Sequence, residues 1–309
     1  MNKPKIIIDT DPGVDDAIAI MLLAMSNKFD IRAITTVAGN SNIQNTTANA
    51  EYLQNLLTIE CPIFSGATKS LTGPFVEGQV HGPTGLPGIN HDFRGNLTNN
   101  AAQKIVEIVN SNPNEITILC LGPQTNIAQA IQLDPSLPYK IKQIVMMGGA
   151  IQSPGNKSWV AEFNIFLDPE AAAIIFNTET PKTLIPLEIC YQTPLFISDI
   201  EKMDSLSKLK PILISLVNPY IKLLNQFEGV SGAIVYDALA AYYLINPDFF
   251  TTKELQIKIE TKGEFTRGMT VADLRSWGDK SPNTTVATSL NRDLFITDQI
   301  KMLSGRLLL

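Results

Sequence analysis

Four carboxylates fall within eight residues near the start of the chain, Asp9, Asp11, Asp15 and Asp16 of DTDPGVDD. Acids this close repel one another, so at least one carboxyl must hold its proton unless a cation balances them. A cluster that offers only oxygen is the ligand set of a hard cation, Ca²⁺ or Mg²⁺. A plainer origin exists for part of it, because acids are favoured at a helix N-terminus by the helix dipole. That accounts for Asp15 and Asp16 but leaves Asp9 and Asp11, on the strand side, unexplained. The remaining inventory agrees with oxygen ligation. Two histidines, His81 and His91, are too few for a His-rich zinc site. Cys61, Cys120 and Cys190 have neither paired nor metal-like spacing and read as buried, reduced thiols of a cytoplasmic protein.

The elements around the acids must place them. Ile6-Ile7-Ile8 makes Lys5–Asp9 a buried strand, and Pro12-Gly13 forces it to stop and turn. A helix follows over Asp15–Ser26, with Ile18, Met21, Leu22 and Met25 on one face. The same rhythm continues with a strand at Ile31–Val37, a helix over Thr46–Leu57, and buried runs at Glu115–Leu121 and Ile141–Met147. This alternation predicts an α/β fold with a mainly parallel central sheet flanked by helices on both faces. No repeat, low-complexity tract or Pro/Ser-rich linker divides the chain, so residues 1–309 read as one domain. In open α/β sheets ligands bind outside the carboxyl ends of the strands, which is where the acids lie. Two segments break the rhythm. Gly66–Gly95, rich in Gly and Pro and holding both histidines, is a candidate mobile loop over a pocket. Thr193–Val230 is more helical and polar, and is expected to form a helical cap on one rim of the sheet.

Composition removes several classes of function. With 44% hydrophobic residues the chain can bury a substantial core, which excludes disorder. Its longest apolar stretches stop well short of the ~18 residues of a membrane span, and the start of the chain is no signal peptide. Lys and Arg number 24 against 30 Asp and Glu, a net charge of −6 without a basic run. Neither nucleic acid nor a membrane surface suits that balance, whereas a cation or a small neutral or cationic ligand does.

DTDPGVDDA followed by TTVAGN at 35–40 resembles the signature of the inosine–uridine nucleoside hydrolase family. The likeness continues through HGPTGL (81–86), LGPQTNIA (121–128), MMGGA (146–150), GNKSWVAEFNIFLDPEAA (155–172) and YDALAAYYL (236–244), in family order across nearly the whole chain. The resemblance implies a Rossmann-like nucleoside hydrolase fold and hydrolysis of the N-glycosidic bond of ribonucleosides to free base and ribose. It also implies nucleoside salvage and a homo-oligomer, dimer or tetramer.

The same resemblance implies roles for particular residues. A Ca²⁺ would lie at the bottom of the pocket on Asp11, Asp16, the main-chain carbonyl of Thr125, and Asp237. Taken alone, Thr125 could cap a helix and Asp237 could be a helix N-cap. Asp11 matches the general base that takes a proton from a calcium-bound water. Asp15, assisted by Asn40, matches the residue that holds the ribose 2′- and 3′-hydroxyls. Asn156, Glu162 and Asn164 match the groups around the 5′- and 3′-hydroxyls, where oxygens aimed at the sugar also stabilise an oxocarbenium-like state. As isolated residues Asn156 and Asn164 would be turn formers and Glu162 a surface acid. Phe163 is expected as a pocket wall, although a core Phe fits the sequence equally. His81 matches a histidine beside the bound nucleoside, against the plainer reading of an exposed loop histidine.

One position departs from the family. Many members carry a histidine before the last aspartate, as the acid for the leaving base, and this chain has Tyr236. A phenol with an ordinary pKa near ~10 can donate a hydrogen bond but gives up its proton reluctantly at neutral pH. Tyr236 therefore either bonds the departing base or packs against it. Two rival functions follow. One is a nucleoside or ADP-ribose binder that keeps the calcium pocket without turnover. The other is a haloacid dehalogenase-type phosphotransferase, which also opens with DxD after a strand. That family wants Thr where this chain has Gly13, and its downstream Lys and acidic pair have no counterpart here.

Overall fold

A computed structural model describes residues 3–76, 78–277 and 281–305. Its strands are β1 (Lys5–Thr10), β2 (Asp30–Thr36), β3 (Ile63–Ser65), β4 (Ile116–Cys120), β5 (Gln143–Met147), β6 (Lys182–Ile185), β7 (Phe250–Leu255), β8 (Ile257–Ile259), β9 (Thr270–Ala272) and β10 (Thr284–Leu290). Eight of them form one sheet in the order β3-β2-β1-β4-β5-β6-β10-β7, parallel except for the edge pair β10/β7. β8 and β9 pair antiparallel on their own. The helices are α1 (Val14–Ser26), α2 (Ile43–Leu57), α3 (Ala101–Ser111), α4 (Thr125–Leu133), α5 (Phe163–Leu167), α6 (Pro169–Phe176), α7 (Leu187–Cys190), α8 (Ile197–Ile200), α9 (Leu209–Glu228), α10 (Tyr236–Ile245) and α11 (Arg292–Leu303). None of the described helices is long and apolar enough to cross a membrane.

The expected α/β architecture is present. β1 alternates its side chains between two cores: Ile6 and Ile8 join one beneath α1 and α10, and Ile7 joins the other beneath α3, α4 and α6. Both faces being covered, the central strands are apolar throughout rather than alternating. The chain winds outward from β1 to β3, returns to β4 beside β1, and then winds the other way. That reversal opens a crevice at the carboxyl ends of β1 and β4, the place where doubly wound sheets hold ligands.

Element ends shift slightly from the expectations. α2 begins at Ile43 rather than Thr46, because Asn42 caps it by accepting the Asn45 N–H. The Gly66–Gly95 segment is tied down at its Gly-rich end: Asn49 of α2 donates to the carbonyls of both Thr84 and Pro12, and Leu86 is buried. A Cβ at Gly85 would meet Asn49 Nδ2 at 2.7 Å, and its φ of +86° favours glycine. The cap expected over 193–230 is realised mainly as α9, which ends on Glu228 with Gly229 in the left-handed region.

Candidate active site

Two helices aim their N-termini at one point. Asp15 and Asp16 lie in the first turn of α1 and Asp237 in the first turn of α10, and these helices pack side by side. One oxygen of each of these three buried carboxylates lies within 4.8 Å of the others. Asp237 is therefore not the N-cap its sequence position allowed; Val235 takes that place. The helix dipoles offset part of the repulsion, and Asp15 also accepts the Asp237 backbone N–H. The rest remains: burial first, and then the charge of Asp16, pushes Asp15 well above the usual carboxylate range. Asp237 is raised the same way, by burial and then by Asp15, Asp16 and Asp11.

Asp11 sits just past β1, and its carboxylate is held between two loops. Its Oδ2 accepts the Asn40 backbone N–H at 2.7 Å, while Oδ1 is buried with no protein partner. A Cβ at Gly39 would overlap Oδ2, and one at Gly122 would stand 2.5 Å from Oδ1, so glycine is required on both sides. Burial, and then Asp16, raises the Asp11 carboxyl well above its ordinary value. Asp16 is fixed by Thr10 Oγ1 at 2.5 Å, the Gly13 N–H at 2.9 Å and Asn40 Nδ2 at 3.0 Å.

Asp9 is separate from this cluster. Strand alternation turns it to the α4 face, where it accepts from Thr35 Oγ1 and Asn126 Nδ2. The four acids of the sequence thus divide into one internal anchor and three at the crevice.

The crevice is a cavity of about 240 Å³. Asp15, Asn40, His81, Asn156, Glu162, Phe163, Asn164, Tyr236 and Asp237 all line it. Asp11, Asp16 and Thr125 do not line it and are buried beneath. Thr125 begins α4, and its side chain donates to Asp168 at 2.6 Å instead of capping its own helix. The unpartnered oxygens of Asp11 and Asp15 sit among raised carboxyls, and among the described residues His81 is the one basic group paired with any of them. Such a donor set fits a hard cation.

His81 is buried rather than exposed. Its ring stacks on Tyr220 at 5.0 Å, and its Nδ1 accepts the Val14 N–H at 3.1 Å. Burial lowers its pKa to about 3, so the ring is neutral. With Nδ1 accepting, the proton belongs on Nε2, which faces Asp15 Oδ1 at 3.7 Å. Gly13 makes this approach possible, since a Cβ there would stand 2.6 Å from Nδ1.

Glu162 caps α5: it accepts the N–H groups of Asn164 (2.8 Å), Gly149 (2.9 Å) and Ile165 (3.1 Å). Burial nevertheless raises its carboxyl to about 7. Asn164 donates to the Leu121 carbonyl at 2.6 Å, so the ends of β4 and β5 orient its amide. Asn156 accepts the Phe163 N–H, and Lys157 Nζ lies 5.3 Å from the Phe163 ring centroid.

Sequence reasoning missed three polar residues of this cavity, Gln79, Lys157 and Glu228. Glu228, the last residue of α9, lines the wall and accepts the Tyr236 hydroxyl at 2.5 Å. In sequence it reads as the solvated end of a polar helix, and only the meeting of the end of α9 with the start of α10 shows otherwise.

Comparison with known proteins agrees with this architecture. The family model described as inosine-uridine preferring nucleoside hydrolase matches residues 6–297. The chain is 36% identical over 300 residues to the inosine-uridine preferring nucleoside hydrolase of Leishmania major, covering 94% of each. It is 34% identical over 297 residues to the pyrimidine-specific ribonucleoside hydrolase RihA of Shigella boydii, covering 94% of this chain and 95% of that one. Among solved structures, the purine-preferring ribonucleoside hydrolase from Gardnerella vaginalis superposes with a TM-score of 0.89 at 28% identity, covering 97% of this chain and 98% of that one. A plant nucleoside hydrolase gives 0.88 at 29%, covering 98% and 99%. These matches favour neither the phosphotransferase nor the non-catalytic binder. Ordered motifs, doubly wound sheet and acidic crevice all agree, and the chain belongs to the inosine-uridine preferring nucleoside hydrolase family.

Proposed function

We propose that this protein is a calcium-dependent ribonucleoside hydrolase that cleaves the bond between a base and its ribose. One observation carries the reading: carboxylates from two helix N-termini converge at the floor of a cavity, beside the unpartnered Asp11 Oδ1. Asp11, Asp16, Asp237 and the Thr125 carbonyl are the proposed calcium ligands, and the convergence of Asp15 with Asp16 and Asp237 puts a further oxygen within reach. Calcium bound there supplies Lewis acidity toward water and ribose oxygens and neutralises the acids.

The chain's own residues do the rest. Asp11, clamped by Gly39, Gly122 and the Asn40 N–H, accepts the proton of the attacking water. Asp15 and Asn40 hold the ribose diol, with His81 Nε2–H facing Asp15. Asn156, Glu162 and Asn164 hold the other hydroxyls, and their oxygens stabilise positive charge developing on the sugar. Phe163 closes the wall. The same reading carries a homo-oligomer working on small-molecule ribonucleosides in the cytoplasm, in purine and pyrimidine salvage, without a nucleic-acid or membrane partner.

Release of free base from inosine, uridine and adenosine by the purified chain tests the proposal. Turnover of at least one is expected. Binding of nucleosides without cleavage of any would overturn it and leave a binder.

A further inference from the structure

We propose that Glu228 is the acid that protonates the departing base, and that Tyr236 positions it. The inference rests on the hydrolase reading above and assigns a step that the sequence left open at position 236. Glu228 ends α9, where Gly229 at a φ of +69° turns the chain away and leaves the carboxyl on the cavity wall. Its Oε2 accepts the Tyr236 hydroxyl at 2.5 Å, and its Oε1 stands 3.5 Å from Asn156 Nδ2. The phenol proton is therefore committed to Glu228, and Oε1 is the oxygen placed to carry a proton of its own.

The surroundings favour the neutral acid. Among the described residues no lysine or arginine is within ion-pair distance of Glu228. The polar and titratable groups around it are Tyr236, Tyr191, Tyr220, Glu162 and Asn156, with Lys157 on the same cavity. Burial raises its pKa, opposed first by the Tyr236 hydrogen bond. As the glycosidic C–N bond breaks, its electron pair stays with the base and the Glu228 Oε1–H proton passes to a base nitrogen. The carboxylate left behind keeps the Tyr236 O–H bond. Asp11 takes the proton of the attacking water and afterwards releases it to solvent, while solvent restores the proton of Glu228. Free base and ribose result, with atoms and charge balanced.

Glu228→Gln and Tyr236→Phe, assayed on inosine, uridine and p-nitrophenyl riboside, test this. The nitrophenolate leaves without a proton, so only the natural nucleosides depend on the acid. Glu228→Gln should lower kcat on nucleosides by about 10²-fold, and by at least ten-fold less on the activated riboside. In the wild type kcat should fall as pH rises through the Glu228 pKa. Tyr236→Phe removes a bond that favours the carboxylate, so that alkaline limb should move to higher pH. Equal losses on both substrate types, or a change confined to KM, would overturn the assignment and leave Glu228 as a structural or base-binding group. An unmoved limb in Tyr236→Phe would overturn it even where the Gln variant does not fold. A wild type inert toward every ribonucleoside would overturn the hydrolase reading, and this step with it; an active wild type with an unbiased Gln variant overturns this step alone.

Discussion

Gly122 makes room for Asp11: a Cβ at that glycine would stand 2.5 Å from Asp11 Oδ1, the buried oxygen that no protein group satisfies. Gly39 faces the other oxygen of the same carboxylate. The loops after β2 and β4 thus form a slot whose width is set by the absence of two side chains. Gly122→Ala should push the carboxylate aside without removing it. A displacement near 1 Å costs roughly 10²-fold in rate, so kcat should fall at least that far, and the thermal midpoint should fall too, because the same Cβ stands 2.9 Å from Cγ1 of the buried Val37. Near-normal kcat in a folded Gly122→Ala protein would contradict the slot.

Asp11 is assigned as the base as well as a ligand. Asp11→Asn should lower kcat by about 10²–10⁴-fold, with a much smaller change in KM. Steady-state kinetics beside a calcium-binding isotherm separate the two roles. Intact calcium affinity with unchanged kcat would refute proton transfer to Asp11.

Ribose recognition is proposed to rest on Asp15 and Asn40, both lining the cavity. A site built to bond a hydroxyl rejects the analogue lacking it by roughly 10⁴-fold or more. The kcat/KM for uridine should exceed that for 2′-deoxyuridine by that order. Parity between the two would remove the diol from the account.

Glu162 links the site to stability. Burial raises its carboxyl from an ordinary 4.5 to about 7. Its contribution is fully present below about pH 4.5 and is lost as pH rises through about 7. Glu162→Gln is neutral throughout, so wild-type stability measured by urea unfolding should decline relative to the variant between pH 5 and 8. Parallel pH profiles would show that the three backbone N–H donors hold Glu162 ionised throughout.

Much of this was legible in the sequence, for identifiable reasons. β1, β4 and β5 are buried on both faces and read as apolar runs, and Pro12-Gly13 marked the corner where the acids gather. The edge strand β7 (FTTKEL) and its neighbour β10 (TTVATSL) carry mostly polar or exposed residues, so no apolar run announces them. Asp9 looked like a fourth member of the acidic cluster because spacing does not show which face a strand residue takes. Glu162 gave no sign of capping a helix, since its N–H donors lie on α5 and on the turn after β5. Glu228 was invisible because its partnership with Tyr236 depends on how the turn at 229–235 brings the start of α10 back to the end of α9.

The most direct test of the account is a calcium titration of chelated protein, followed by release of base from its best ribonucleoside. Removing the metal should abolish turnover and lower the thermal midpoint, because a ligand at about 100-fold its Kd stabilises by ~2.7 kcal/mol. Calcium should restore both, with one ion per chain, and Asp237→Asn should need much more calcium to recover. Full activity after complete calcium removal, or recovery with zinc alone, would contradict the account.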